Sequence, residues 1–452
     1  MEKLQQLVFL LVLTCLMPFS LLSQNPIVPN QGLNDPHIHI FNDTAYVYAS
    51  HDKSADNTQF IMEDWWVWSS PDLVNWTKRS TLNPADTYIG AGFTGCWATD
   101  VGRRNGQYYW YFSERNQQTG VAVGDTPVGP WKDALGKPLL TEDLTPTDEY
   151  DMSIFEEAGE YYIIFGVWDY YIAKLNEDMI SLAEKPRKIT INNPRGPYNS
   201  DGSNQEKPTD DKPSVHKYGD TYYLSWGCFY ARSKKLYGPY DYTGTVINEN
   251  SFAPGYDAPT WPNGFLQGRH GNFFEWHGQW YYTYCDISQT GNRYFRDAFI
   301  SYVHYKNNGE MAPIRVDGVG VGQYDAAQGK IEAEDYFKIS GLKKIETLDG
   351  FGVQPIKENS WLAYPNVQNL SAFNQVKLDL IWSGPGTFVI DIRRNSPTGE
   401  RIAVQKVENG RTSKQSIMLP TESLNPIEDL FISIQGKTSG GLTIDSFSFS
   451  KK

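Results

Sequence analysis

Along the first two-thirds of the chain, a turn of Gly, Asn or Asp is followed each time by a short run of Tyr, Trp and aliphatic residues. The pattern falls at residues 42–48, 105–111, 158–164, 218–224 and 277–283. Its spacing is about 50 to 65 residues, slightly more than a four-stranded propeller blade usually takes. Recurrent Gly/aromatic hairpins of this kind are the sequence signature of a β-propeller, and no long stretch of helical periodicity competes with it. Five such units predict five blades. Beyond Gln328 the texture changes, and the remaining length of about 125 residues suits a β-sandwich of jelly-roll type. The predicted fold class is therefore all-β, with a five-bladed β-propeller over 24–326 and a β-sandwich over 327–452.

A polar residue stands roughly eight to eleven positions ahead of each aromatic pair: Asp35, Asp100, Asp151, Asp211 and His270. Taken singly, an Asp before a hairpin is a turn residue. Matched placement in every blade puts these side chains at equivalent points of the innermost strands, which face the propeller axis. The expectation is that they converge on one cavity.

These residues resemble glycoside hydrolase family 43, whose five-bladed propellers act on arabinosides, xylosides and galactosides. Asn34-Asp35-Pro36-His37 is similar to the first-blade motif that carries the general base, and Trp97-Ala98-Thr99-Asp100 to the second-blade motif, with Thr where the family has Pro. Tyr150-Asp151-Met152 resembles the segment whose Asp adjusts the acid's pKa. Gly268-Arg269-His270-Gly271-Asn272 resembles the one whose His helps to hold a hydrated axial metal ion, expected to be calcium. The resemblance also implies that Trp97, Asp100 and Arg296 contact substrate. The family's acid is a Glu two residues before Pro. Here Asp211-Lys212-Pro213 has that layout with Asp in its place, so Asp211 is the expected acid, and Glu206 and Asp210 are the alternatives. An Asp carboxyl is set back by about one C–C bond, roughly 1.5 Å, and a misplacement of about 1 Å can cost a hundredfold in rate. The resemblance thus implies an inverting hydrolase with Asp35 as base, Asp211 as acid and Asp151 as modulator. A catalytically weak or silent glycan-binding propeller is the competing reading. Asn34-Asp35-Pro36 is also shared with retaining propellers that cleave sucrose, but their Arg-Asp-Pro and Glu-Cys motifs are missing here.

In the C-terminal region, Lys330–Tyr336, Ser360–Tyr364 and Leu442–Phe447 resemble a family 6 carbohydrate-binding module. That resemblance implies a structural calcium held by Glu332, Glu334 and Asp445, whose hard oxygen donors suit the ion. The segment 409–415 lacks the Trp that such modules often use to stack on sugar.

Composition narrows the partners. A net charge of −13 leaves no Lys/Arg excess to neutralise a nucleic acid, whereas 14 Trp, 29 Tyr and 22 Phe supply flat apolar faces that suit sugar rings. The expected ligand is an oligo- or polysaccharide, and the expected state is a monomer. Residues 1–23, with Lys3 ahead of an apolar run from Leu7 to Leu22, read as a signal peptide rather than a membrane span, so the chain is expected to be exported. Cys96, Cys228 and Cys285 lack metal-type spacing and read as buried free thiols.

Overall fold

The computed structural model describes residues 24–195, 209–261, 269–422, 424–436 and 441–451. The leader at 1–23, with Cys15, and the alternative acid Glu206 lie outside the described residues, as does Gly268.

Five sheets follow one another between residues 33 and 303, antiparallel but for the parallel edge strand Ile191–Asn192 of the fourth. Each opens with an innermost strand: Leu33–Phe41, Cys96–Arg104, Ser153–Glu157, Pro213–Tyr218 and Phe273–Trp276. A tight hairpin follows each innermost strand, and its chemistry explains why the repeat was visible in sequence. Two-residue hairpins need left-handed backbone to match strand twist. Asn42-Asp43 (φ 51° and 58°) and Asn105-Gly106 (53° and 81°) supply it, as do Ala158-Gly159 (53° and 81°) and His277-Gly278 (56° and 79°). The fold is a five-bladed propeller followed by a β-sandwich.

The ring is closed by the start of the described chain. Segment 24–28 runs along the strand Asp297–Val303 of the fifth blade: Ile27 N donates to Ala298 O at 2.8 Å. Asn25 brackets Ile300, donating to its carbonyl at 3.0 Å and accepting from its N–H at 2.9 Å. Between neighbouring blades the core is aromatic and aliphatic. Trp65, Trp110 and Phe112 fill the space between blades one and two, and Trp226, Tyr282 and Phe299 the space between four and five. Trp65 and Trp66 are thus spent on packing, Trp66 stacking on His51 at 3.8 Å between ring centroids. Cys96, Cys228 and Cys285 are buried free thiols.

From Tyr324 onward, two six-stranded sheets face one another around Leu362, Leu378, Trp382 and Ile432. Of the expected calcium ligands of this module, Glu332 and Asp445 both approach the Lys330 ammonium, at 2.9 and 4.0 Å. Glu334 shares with Glu332 a small cavity at the domain junction, beside Asp335 and His304. There burial, reinforced by the Asp335 charge, raises its carboxyl to about 8. The domains are joined by buried polar contacts: Gln279 donates to Glu334 O and Tyr336 O, and Lys344 reaches His304 Nδ1 at 2.7 Å. Among the described residues, no helix is long and apolar enough to cross a membrane.

Candidate active site

The N-terminal ends of the innermost strands surround a pocket of about 260 Å³. Asp35, Asp151, Asp210, Asp211, His270 and Arg296 line it, with Phe60, Met62, Trp97, Tyr150, Trp261 and Arg293 as walls.

Asp35 sits in a β-bulge between Asn34 and His37, in left-handed conformation (φ 46°). The bulge releases the residue from the strand ladder and re-aims its side chain. Its N–H donates to Cys285 Sγ at 3.0 Å. Arg296 Nη1 contacts both carboxylate oxygens, at 3.2 and 3.3 Å. The guanidinium is itself fixed by Asp52, through Nε at 3.0 Å and Nη2 at 3.1 Å. Burial works against charge on Asp35, but Arg296 and His270 outweigh it and hold the carboxyl well below the usual range.

Asp151, also left-handed (φ 54°), donates its N–H to Ser113 Oγ at 2.9 Å. It has no such cation clamped to it. Burial, then the charges of Asp211 and Asp35, push its carboxyl well above the ordinary value. Burial and Asp211 push Asp210 up as well. One wall of the pocket thus favours an ionised carboxylate, while on the opposite wall Asp151 and Asp210 resist ionisation.

His270 joins the walls. Its Nδ1 lies 3.0 Å from Asp35 Oδ1, and its Nε2 lies 2.5 Å from Asp211 Oδ1 and 3.9 Å from Asp210 Oδ2. Burial disfavours the imidazolium, yet these carboxylates overcome it and raise the ring well above its ordinary value. Asp151, Asp211 and His270 offer donors within 4.8 Å of one another, so they bear on the expected axial metal. They are the residues that would hold a hydrated cation there.

Asp100 departs from expectation: it does not line the pocket. A bulge between Trp97 and Thr99 shifts the phase of its strand, and Asp100 faces the opposite end of the central channel, a cavity of about 550 Å³ to which all five innermost strands contribute. Its carboxylate lies 2.9 Å from His37 Nδ1 and 2.6 Å from His39 Nε2. It also accepts from Val101 N at 2.8 Å and Ile154 N at 2.6 Å. With these donors Asp100 is saturated, and it knits blades one, two and three together.

Sequence reasoning missed Lys212, Asp52 and the wall residues Phe60, Met62 and Trp261. Lys212 is almost wholly buried, and its Nζ donates to Met152 O at 2.8 Å and Thr99 O at 3.1 Å. Its signal was present in the Asp211-Lys212-Pro213 motif, but lysine ordinarily reads as a surface residue.

The family profile described as Glycosyl hydrolases family 43 matches residues 23–311. A xylosidase/arabinosidase of Bacteroides ovatus is 25% identical over 336 residues, spanning 64% of this chain and 96% of the relative. A β-D-galactofuranosidase of Aspergillus niger is 29% identical over 325 residues, spanning 66% of this chain and 86% of its own. Among solved structures, an arabinoxylan arabinofuranohydrolase of Bacillus subtilis, in complex with cellotetraose, superposes with a TM-score of 0.55 at 21% identity, covering 96% of this chain and 98% of its own. That likeness extends the shared fold through the C-terminal sandwich.

Proposed function

The chain belongs to glycosyl hydrolases family 43 and is a glycoside hydrolase; from that premise we propose an inverting mechanism with Asp35 as general base and Asp211 as general acid. The observation that carries the reading is the His270 bridge, which sets two carboxyls on opposite sides of one ring. With Nδ1 3.0 Å from Asp35 and Nε2 2.5 Å from Asp211, the ring keeps the two carboxyls apart, as an inverting pair requires if an attacking water is to fit between them, at roughly 6.5–9.5 Å.

Asp35 is suited to activate water because Arg296 and His270 keep it ionised. The leaving oxygen is protonated from the opposite wall, where Asp151 and Asp210 disfavour further ionisation. Asp211 is the member whose oxygen already reaches the ring from the far side. Asp151 acts as the modulator, since its proximity makes loss of a proton from the cluster costly. Trp97 and Trp261 carry buried indole N–H groups with no hydrogen-bond partner among the described residues, and they suit sugar hydroxyls and ring faces. No step is routed through a metal.

The substrate class is a plant polysaccharide or its oligosaccharides carrying arabinosyl, xylosyl or galactosyl units, in keeping with the relatives' activities. The apolar leader supports work outside the cytoplasm. The test is a panel of 4-nitrophenyl α-L-arabinofuranoside, β-D-xyloside and β-D-galactofuranoside alongside arabinoxylan oligosaccharides, with the first product's anomer read by NMR. An inverted anomer, with Asp211→Ala harming the oligosaccharide far more than the aryl glycoside, is the expected result. A retained anomer overturns inversion. No turnover on any substrate favours the silent glycan-binding propeller.

A further inference from the structure

The notable fact about the acid is that an aspartate reaches where the family places a glutamate, and the backbone beside it explains how. Asp35, Asp151 and Lys212 share one unusual conformation, with φ of 46°, 54° and 54°, and each stands directly ahead of Pro36, Met152 or Pro213 at the start of its innermost strand. They occupy one equivalent slot in blades one, three and four. Two blades place a carboxylate there, and the fourth places an ammonium, so Asp211 lies one residue outside the slot.

Lys212 does more than fill the position. Its side chain crosses the axis to the Thr99 and Met152 carbonyls of blades two and three, among the charges of Asp100, Asp151, Asp35 and Asp211. On the other side of Asp211 the chain is clamped to the third blade. Asp210 O accepts from Trp168 N at 3.0 Å and Tyr170 Oη at 2.8 Å, and Thr209 Oγ1 donates to Trp168 O. Asp211 is thus held between two fixed points, and its oxygen already stands 2.5 Å from His270 Nε2.

We propose that Lys212 is a positioning residue for the acid: fastened to the neighbouring blades in a left-handed turn, it fixes the loop that holds the Asp211 carboxyl at the axis. The inference rests on the assignment of Asp211 as the acid, and the experiment separates the two.

Asp211→Glu, Lys212→Gly and the double variant are compared in the full chain, with Asp211→Ala measured alongside. Glycine accepts the left-handed backbone, so Lys212→Gly removes the anchor without adding strain. Asp211→Glu alone overshoots and should lose at least about tenfold in kcat on arabinoxylan oligosaccharide, in line with the cost of a misplacement of about 1 Å. Lys212→Gly should lose a similar factor on the oligosaccharide while sparing the 4-nitrophenyl glycoside and KM, because only protonation of the leaving group is impaired. In the double variant the longer side chain meets the released loop, and kcat should recover at least about tenfold over either single variant, a coupling that independent sites do not show. The inference is overturned if Asp211→Glu matches wild type. Additive losses in the double variant overturn it too, as does a Lys212→Gly that harms both substrates equally while the unfolding temperature falls. If Asp211→Ala spares the oligosaccharide, the acid assignment itself fails and the inference falls with it; if Asp211→Ala is selective but the coupling is absent, only the inference fails.

Discussion

The two mouths of the central channel are built from the same innermost strands and pair the same kinds of side chain, yet they hold histidine in opposite states. At the catalytic mouth, His270 lies between carboxylates on two blades and is raised well above its ordinary value despite burial. At the far mouth, His37 is equally hidden, but desolvation prevails over its one carboxylate, Asp100, and lowers the ring to about 4. The difference lies in how Asp100 is engaged. It already accepts two backbone N–H bonds and serves two imidazoles, and the Lys212 ammonium further disfavours charge on His37. Burial alone does not decide a buried histidine's charge. The decisive quantity is how much unspent negative charge faces it.

The largest effect that would break the comparison is on rate. Asp35→Ala should lower kcat by about 10⁴-fold on aryl glycosides and oligosaccharides alike, the upper end of what a general base contributes. Asp100→Ala should leave activity per folded molecule far less changed, although both aspartates are buried on the same axis. Initial rates on the glycoside panel check both.

At the far mouth the expected cost is in stability. Asp100→Ala strands the N–H groups of Val101 and Ile154 and leaves Lys212 less compensated, so chemical unfolding should show a loss of about 3–5 kcal/mol. A loss below about 1 kcal/mol would mean that the far mouth is ordinary surface.

The smallest effect carries the sharpest contrast, because the two histidines should tilt the pH dependence of stability in opposite directions. His37 has a lowered folded pKa, near 4 against 6.5 unfolded. As pH falls from 6.5 toward 4 the unfolded chain takes a proton that the fold refuses, and stability is lost. His37→Gln should flatten that part of the curve, leaving the similar contributions of His216 and His304. His270 has a raised pKa, so its contribution is full below 6.5 and fades only as pH climbs through the folded value. His270→Gln should therefore cost most in acid. Urea midpoints at pH 5 and pH 8 separate the two, and a parallel response sinks the contrast.

Much of this design was legible in the chain. The blade count was readable because the hairpins need left-handed residues, and Asn42, Gly106, Gly159 and Gly278 advertise them locally. Asp35, Asp151 and His270 were readable because they recur at matched distances from those turns. Asp100 was misplaced because it stands nearer its hairpin than the other four and its strand carries a bulge, so its side chain meets the same channel farther along, at the other mouth. Spacing cannot reveal a bulge. Lys212 and Lys330 escaped for a shared reason: each ammonium is matched to acceptors brought from distant parts of the chain, and composition has no means of signalling such a partner. Among the aromatics, Trp65 and Trp66 fill gaps between blades, while Phe60 and Met62, with no pattern of their own, reach the candidate pocket.

The seam at residues 24–28 has a consequence for biogenesis. The strand it runs along ends at Val303, so residues 24–28 must wait during synthesis for nearly the whole propeller before finding their place. Closing a loop of some 270 residues adds entropy cost only slowly with length, but contacts this distant in sequence form late. Until they form, the Asp297–Val303 strand presents an open edge able to pair with another chain.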